Sequence, residues 1–410
     1  MARIIFLNRY FHPDHSATSQ ILGDLAFHLV AEGHDIHVIT SRQLYDDPAA
    51  TLPSWEIVRG VEVHRVATTR FGRSHLPGRA LDYLTFYASV WRRATALAEP
   101  GDILVAKTDP PLLSVVAIHV ATRRSAHFVN WLQDLYPEVA AELGVPLMKG
   151  PLGSTIAFLR NRSLTLADAN VVLGTAMAAR LRACGVTHGA IHIIPNWCND
   201  KTIVPIAASA NPLRREWGLE EKFVVGYSGN LGRAHEFATV LDAAERLRGD
   251  ARIVFVCIGG GRHFDDLRRQ AAARNLLFQF RPYQDHAALP FALALPDVHW
   301  ISLRPQLEGL LFPSKFYGIA AAARPVIAIA DTRGEIARLI ERHRCGIAIA
   351  PGEADRLAST IAELARAPQQ CSDMGQRARR MLDAEFSRRQ SLQRWQDFLR
   401  GLVEESCSRQ

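Results

Sequence analysis

Apolar residues recur along this chain in two rhythms, and the switching between them sets the expected fold. Short apolar or alternating runs stand at Ile4–Leu7, His34–Thr40, Ile103–Ala106, His127–Trp131, Asn170–Leu173 and Ala190–Ile194. Runs of this length, bounded by turn residues, read as buried strands. Between them lie stretches of helical spacing, such as Ile21, Leu22, Leu25, Ala26, Leu29 and Val30, which stop at Gly33. Strand, helix, strand in that order is a right-handed unit on a parallel sheet. The series restarts at Phe223–Tyr227 and runs through Arg252–Ile258, Phe278–Phe280, His299–Leu303 and Val326–Ala330. Between the two series, residues Asn199–Pro212 lose periodicity and read as a linker. The pattern predicts an α/β protein of two Rossmann-like, doubly wound domains, residues 1–198 and 199–386. A closing basic helix, residues 387–410, carries Trp395, Phe398, Leu399 and Leu402 and is expected to cross back to the first domain.

Composition narrows the class. A chain of 410 residues is too long for one ordinary core, which agrees with two domains. The net charge of +7 falls mostly after residue 200, yet neither half has the dense basic stripe of a nucleic-acid module. An anionic small molecule or an anionic membrane surface fits the charge better. Six cysteines are scattered without a C-x-x-C pair, which speaks against structural zinc and a disulfide framework and suits a reducing cytosol. The opening MARIIFLNRYFHP is too short in its apolar run for a signal peptide, and no stretch approaches a membrane span. A cytoplasmic protein is expected, with peripheral attachment to the plasma membrane left open.

The densest candidate chemistry lies in Gln306–Ile336, QLEGLLFPSKFYGIAAAARPVIAIADTRGEI. Glu308 to Phe312 reads as a loop, and Pro313 suits the first turn of a helix through Ala323. A Gly-bearing loop with Lys315 at a helix start is a ready anion site, suited to a diphosphate; an ordinary helix with a solvated Lys is the alternative. A second anion-binding candidate is Ser228-Gly229-Asn230-Leu231-Gly232-Arg233, while Gly259-Gly260-Gly261 reads as a tight turn. The first loop lacks G-x-G-x-x-G, so no dinucleotide site is expected, but it offers His12, His15, Ser16 and Thr18 at the carboxyl end of a strand. Asp134, beside Gln133, is a candidate general base or hydroxyl holder, or else the N-cap of the next helix. Residues 70–93 carry Arg70, Arg73, Arg79, Arg92 and Arg93 against one Asp82, interleaved with aromatics. Such a segment suits an anionic bilayer or a lipid-linked phosphate, or is an amphipathic helix on its own sheet.

The two Rossmann-like halves, the spacing from YSGNLGR to EGLLFPSK, the IPNW junction, WLQDLYPE and GNLGRAHEF together resemble glycosyltransferase family 4 across essentially the whole chain. The branch most alike makes bacterial surface polysaccharides, including colanic-acid and N-acetyl-fucosamine transferases. The resemblance implies the GT-B fold, two domains facing a cleft, and transfer of a hexosyl or N-acetyl-deoxyhexosaminyl group. It also implies a nucleoside diphosphate sugar as donor, retention of configuration, no metal or other cofactor, and a lipid-linked glycan acceptor. On this resemblance the N–H groups of Gly309 and Leu310, with Ser314 and Lys315, hold the diphosphate. Gly229, Asn230, Gly232 and Arg233 approach it from the other loop. Arg281, Pro282 and Tyr283 face the nucleobase, Glu308 a donor-sugar hydroxyl, and Asp134 with the first loop the acceptor.

The chain also departs from the family. The paired-Glu motif lacks its second member, because Gly318 stands where that ribose-binding Glu is expected and Phe316 at the strict spacing. Asn230 replaces the usual Arg, with His235 and Glu236 near the usual Lys, and Gln133 stands where a His is frequent. An active transferase, an epimerase of the same fold and an inactive nucleotide-sugar binder are the three readings; the P-S-K motif speaks against the epimerase.

Overall fold

The computed structural model describes residues 2–47, 49–72 and 76–408. It contains two compact units, Met1–Pro195 with Leu392–Gln410, and Asn196–Ser391.

The first unit is built on β1 (Ile4–Leu7), β2 (Ile36–Ser41), β3 (Trp55–Val58), β4 (Val61–Val66), β5 (Ile103–Lys107), β6 (His127–Trp131), β7 (Ala169–Val172) and β8 (Ile191–Ile193). They form one sheet in the order β3-β4-β2-β1-β5-β6-β7-β8, parallel throughout except for the β3–β4 hairpin, which the sequence series omitted. Ile5, Leu7, Ile39, Leu104 and Phe128 pack on Phe86, Val90 and Ala94 of the Leu76–Leu97 helix and on Leu113, Ala117 and Val120 of the Leu113–Arg124 helix. Strand order reverses at β1 and β5, the place where open sheets of this kind hold ligands. Leu7 stands beside Ala106 there, so the next residues along, Asn8 and Lys107, lie side by side.

The second unit carries β9 (Phe223–Asn230), β10 (Ile253–Gly260), β11 (Phe278–Arg281), β12 (Val298–Ser302), β13 (Val326–Ile329) and β14 (Gly346–Ile349). Their order is β11-β10-β9-β12-β13-β14, all parallel, with the reversal at β9 and β12. Alternation along β9 sends Val225 and Tyr227 into one helix layer with Val240, Leu241 and Ala244, and Val224 into the other with Leu213, Trp217 and Leu219.

Several expectations change. Ser228-Gly229-Asn230 continues β9 instead of forming a loop, and Gly259-Gly260 continues β10 instead of turning, because Gly259 pairs with Gly229 and Gly260 with Asn230. The helix expected from Pro313 begins at Lys315 and ends at Ala321. A tight turn precedes it, with the Phe316 N–H donating to Pro313 O at 3.1 Å. The first helix runs from Ala17 to Ala31. The aperiodic segment 199–212 is tied to the second unit. Its Ile206 carbonyl accepts from Arg324 at 2.7 Å, and Asn211 donates to Phe291 O at 2.8 Å. In the last helix, Arg388–Ser408, Trp395 packs on Trp131 of the first unit with ring centres 4.6 Å apart. Among the described residues, no helix is long and apolar enough to cross a membrane.

Candidate functional site

In the second unit, the carboxyl ends of β9 and β12 bring Gly229, Asn230 and Lys315 together. The Lys315 ammonium donates to Asn230 O at 3.0 Å and to His235 Nε2 at 3.3 Å, with its nitrogen 5.3 Å from the centre of the Tyr227 ring. The Tyr227 hydroxyl donates to the same Asn230 carbonyl at 2.7 Å. His235 Nδ1 lies 2.7 Å from Ser302 O. A carbonyl can only accept, so Nδ1 carries the proton and Nε2 turns its lone pair to Lys315. Burial, then the Lys315 charge, holds the imidazole neutral, with its pKa pulled down to about 3. Burial alone pulls Lys315 down to about 8. Among the described residues no carboxylate pairs with Lys315. It is a cation held by neutral groups.

Glycine makes this closeness sterically feasible. A Cβ on Gly229, at φ 125°, would lie 2.6 Å from Lys315 Cε, and one on Gly259, at φ 135°, would lie 2.2 Å from Gly229 O. On Gly261 it would meet Asn230 Oδ1 at 2.0 Å. L-residues rarely hold such φ values, so both space and backbone require glycine.

The other expected donor residues divide. Glu308 caps the Glu335–His343 helix, accepting the Glu335 N–H at 2.6 Å, and burial raises its pKa. Gly309, at φ 74°, turns the chain, and the Leu310 N–H donates to Leu307 O at 3.0 Å. That amide is therefore not the free donor the resemblance implied. Ser314 is exposed at the helix start, and Gly318 is buried within the helix, where a Cβ would meet only Leu293. Gly232 and Arg233 sit half-buried in the loop after β9. Arg281 points to the opposite layer, its guanidinium 4.9 Å from the Trp217 ring centre and donating to Gln279. Pro282 is exposed, and Tyr283 lies against Gly260, its ring 3.1 Å from where a Cβ would stand, with 60% of its surface open.

In the first unit, the residues expected on the acceptor side follow two strands, His12, His15, Ser16 and Thr18 after β1 and Gln133 with Asp134 after β6. Asn8 Nδ2 donates to Thr18 Oγ1 at 2.8 Å, so Thr18 fastens the loop to the strand. His12 and His15 are exposed, and Ser16 caps no amide with its side chain. The Gln133 N–H donates to Thr108 Oγ1 at 3.3 Å, joining the ends of β5 and β6. Asp134 is pushed up to about 6 by burial and then by Asp109. The N-cap alternative for Asp134 fails, because the following helix, Glu138–Glu142, is capped at Pro137 without a side-chain bond. Sequence reasoning passed over Lys107. It is 1% exposed, its Nζ lies 3.6 Å from the Trp131 ring centre, and it has no hydrogen-bond partner among the described residues. Burial pulls it down to about 7, against the pull of Asp109. Its signal was positional: a Lys closing an apolar strand at the sheet's reversal point.

No metal site was expected, yet His37, Glu62 and His64 bring three ligand atoms within 4.8 Å of one another. The histidine rings lie 4° from parallel with centres 5.4 Å apart and nitrogens 3.1 Å apart. Those separations hold together only if both nitrogens lie on the line joining the ring centres. One nitrogen donates its proton head-on to the lone pair of the other, whereas a metal needs two converging lone pairs. Arg93 donates to His64 Nδ1 at 2.6 Å, which fixes the proton on Nε2. Burial, Arg93 and His37 lower His64 to about 4. The arrangement is a hydrogen-bonded chain.

With this geometry in place, known proteins are informative. Residues 17–197 match the family model described as a glycosyl transferase 4-like domain, and residues 210–381 match glycosyl transferases group 1. WbjE of Pseudomonas aeruginosa, a probable glycosyltransferase, is 26% identical over 99% of this chain and 100% of its own length. WcaI of Escherichia coli K12, a proposed colanic acid biosynthesis glycosyl transferase, is 25% identical over 95% of this chain and 98% of its own. Sucrose-phosphate synthase of Thermosynechococcus elongatus shares the fold at a TM-score of 0.80 and 17% identity, covering 99% of this chain and all of its own. HepE of Anabaena, solved with UDP-glucose, does so at 0.71 and 16%, with 100% of each chain covered. Two parallel-sheet units, two adjoining family matches and full-length relatives agree: this chain is a glycosyltransferase of family 4 with the GT-B fold.

Proposed function

We propose that the enzyme takes its sugar from a nucleoside diphosphate sugar and passes it to a saccharide acceptor of a surface polysaccharide. The observation that carries this reading is Lys315, an ammonium held by a carbonyl and a neutral imidazole with no carboxylate among the described residues to neutralise it. Such a cation is preset for an anion. As the glycosidic bond to the diphosphate lengthens, negative charge grows on the departing phosphate, and a fixed ammonium stabilises it without reorganisation. Because Lys315 supplies this neutralisation, the reaction is read as metal-independent, and the family resemblance implies that it retains configuration. The outer face of the Tyr283 ring is open for a nucleobase to stack on. Asp134, raised toward neutrality, is suited to hold an acceptor hydroxyl. HepE of Anabaena, which was solved with UDP-glucose, supports the nucleotide-sugar donor, and the name of WcaI, which mentions colanic acid biosynthesis, supports the pathway.

The acceptor is read as lipid-linked, with the protein held reversibly on the inner face of the plasma membrane. Arg92 and Arg93 are exposed on the Leu76–Leu97 helix, while Asp82 is buried, its carboxylate accepting from Thr69 and from the Phe71 and Gly72 amides. Arg70 is held by Thr51 and the Ala49 carbonyl, and Arg73 lies outside the described residues. One observation favours a second reading, an inactive nucleotide-sugar binder: Gly318 puts no carboxylate near a ribose. Incubation with a panel of nucleotide sugars and saccharide lipids separates the two. Acceptor-dependent release of nucleoside diphosphate supports the transferase, and donor binding without release supports the binder.

A further inference from the structure

The Pro151–Leu166 helix leaves most of its large apolar residues outside the core. Its inward face carries Gly153, Arg160, Ser163 and one large apolar residue, Leu164, all buried. A Cβ on Gly153 would lie 1.9 Å from Met148 O, Arg160 pairs with Glu138, and Ser163 donates to Ser114 Oγ at 2.9 Å. Its outward face shows Leu152 at 45%, Phe158 at 64%, Leu159 at 40% and Leu166 at 54% exposure. A helix that serves only its own core buries its large apolar residues and exposes the polar ones. The neighbouring helices add to the surface. Leu113–Arg124 packs beside it, and Leu76–Leu97 beside that, with Leu81 and Leu84 exposed and Trp91 near His119.

Charge decides what covers this face. Outside the Arg160–Glu138 pair, the three helices carry Arg79, Arg92, Arg93, Arg123, Arg124 and Arg162, and their one acid, Asp82, is 1% exposed. A second copy of the chain would set arginines against arginines. An anionic bilayer takes up the apolar side chains and the basic ones together. We propose that the outward face of the Pro151–Leu166 helix enters an anionic bilayer as an interfacial element, with the Leu76–Leu97 arginines at the headgroups. This rests on the membrane reading above and places the insertion on a helix outside residues 70–93.

The test uses the full chain with phosphatidylglycerol-containing and pure phosphatidylcholine vesicles. The combined variant Leu152→Ser, Phe158→Ser, Leu159→Ser, Leu166→Ser alters only exposed positions, and circular dichroism with nucleoside diphosphate binding checks its fold. Partition onto anionic vesicles should fall by about a hundredfold or more in this variant. Arg92→Gln should lower it roughly fivefold, with the effect screened by salt. In a Phe158→Trp variant, brominated anionic lipid should quench fluorescence beyond the wild-type change. Wild-type binding that the serine variant retains, with no added quenching, overturns this inference while leaving the arginine-led reading standing. Failure of the wild type to bind any vesicle overturns both. A lipid-free dimer in sedimentation equilibrium that the serine variant abolishes, without added quenching, assigns the face to a second copy and also overturns it.

Discussion

Lys315 acts through what surrounds it, so its effect is separable from simple charge. Lys315→Ala should slow transfer by about 2–4 kcal/mol in activation free energy, the range for a lost preorganised donor. An unchanged rate at saturating donor would remove it from the mechanism. Gly229→Ala attacks the same site without touching charge. The new methyl lies 2.6 Å from Lys315 Cε at φ 125°, so displacing the lysine and straining the backbone should cost about 1–3 kcal/mol of stability as well as activity. Equal melting temperature and rate would contradict the packing argument. Lys107 gives the opposite sign. A buried ammonium without a hydrogen bond disfavours folding, and with a folded pKa near 7 against 10.5 its cost falls as pH rises from 7. Lys107→Met should raise the melting temperature at pH 6; a lower melting temperature would show that contact with Trp131 outweighs desolvation.

At the level of elements, Glu308 serves the Glu335–His343 helix as well as the site. Glu308→Gln keeps an oxygen to accept the Glu335 N–H, whereas Glu308→Ala leaves that amide bare, so only the alanine variant should lose about 1 kcal/mol in urea melts. What the sequence made legible divides along the same physical line. Both sheets and most of their strands were readable, because buried runs such as Ile103–Ala106 carry their own signal; the β3–β4 hairpin and β14 were not. The extension of β9 and β10 through Gly229 and Gly259 was not, since a glycine's role there depends on a partner strand close by only in the fold. The Asn230–Lys315–His235 contact joins residues up to 85 positions apart, and no local pattern announces it. The apolar outer face of the Pro151–Leu166 helix escaped for a related reason. Its spacing of apolar residues is ordinary, and only the structure shows which side faces out.

For the whole molecule, three histidines are kept neutral by burial, His64 and His299 with pKa near 4 and His235 near 3. The unfolded chain binds their protons near pH 6.5, so stability should be full above that value and fall as pH drops toward 4. Each contributes up to roughly 3 kcal/mol, and urea midpoints from pH 7 to 4 measure the sum. A flat profile would mean that these rings ionise freely in the fold. The central claim is that an unneutralised Lys315 receives the donor's diphosphate, and one titration reaches it most directly. Nucleoside diphosphate binding is measured by calorimetry, in chelator, from pH 6.5 to 9.5, for the wild type and for Lys315→Met. The wild type should bind one of the common nucleoside diphosphates, with affinity falling once pH passes about 8, where the ammonium loses its proton. Lys315→Met should bind weakly and without that pH dependence. If Lys315→Met binds as the wild type does, with the same pH profile, the site has been assigned wrongly.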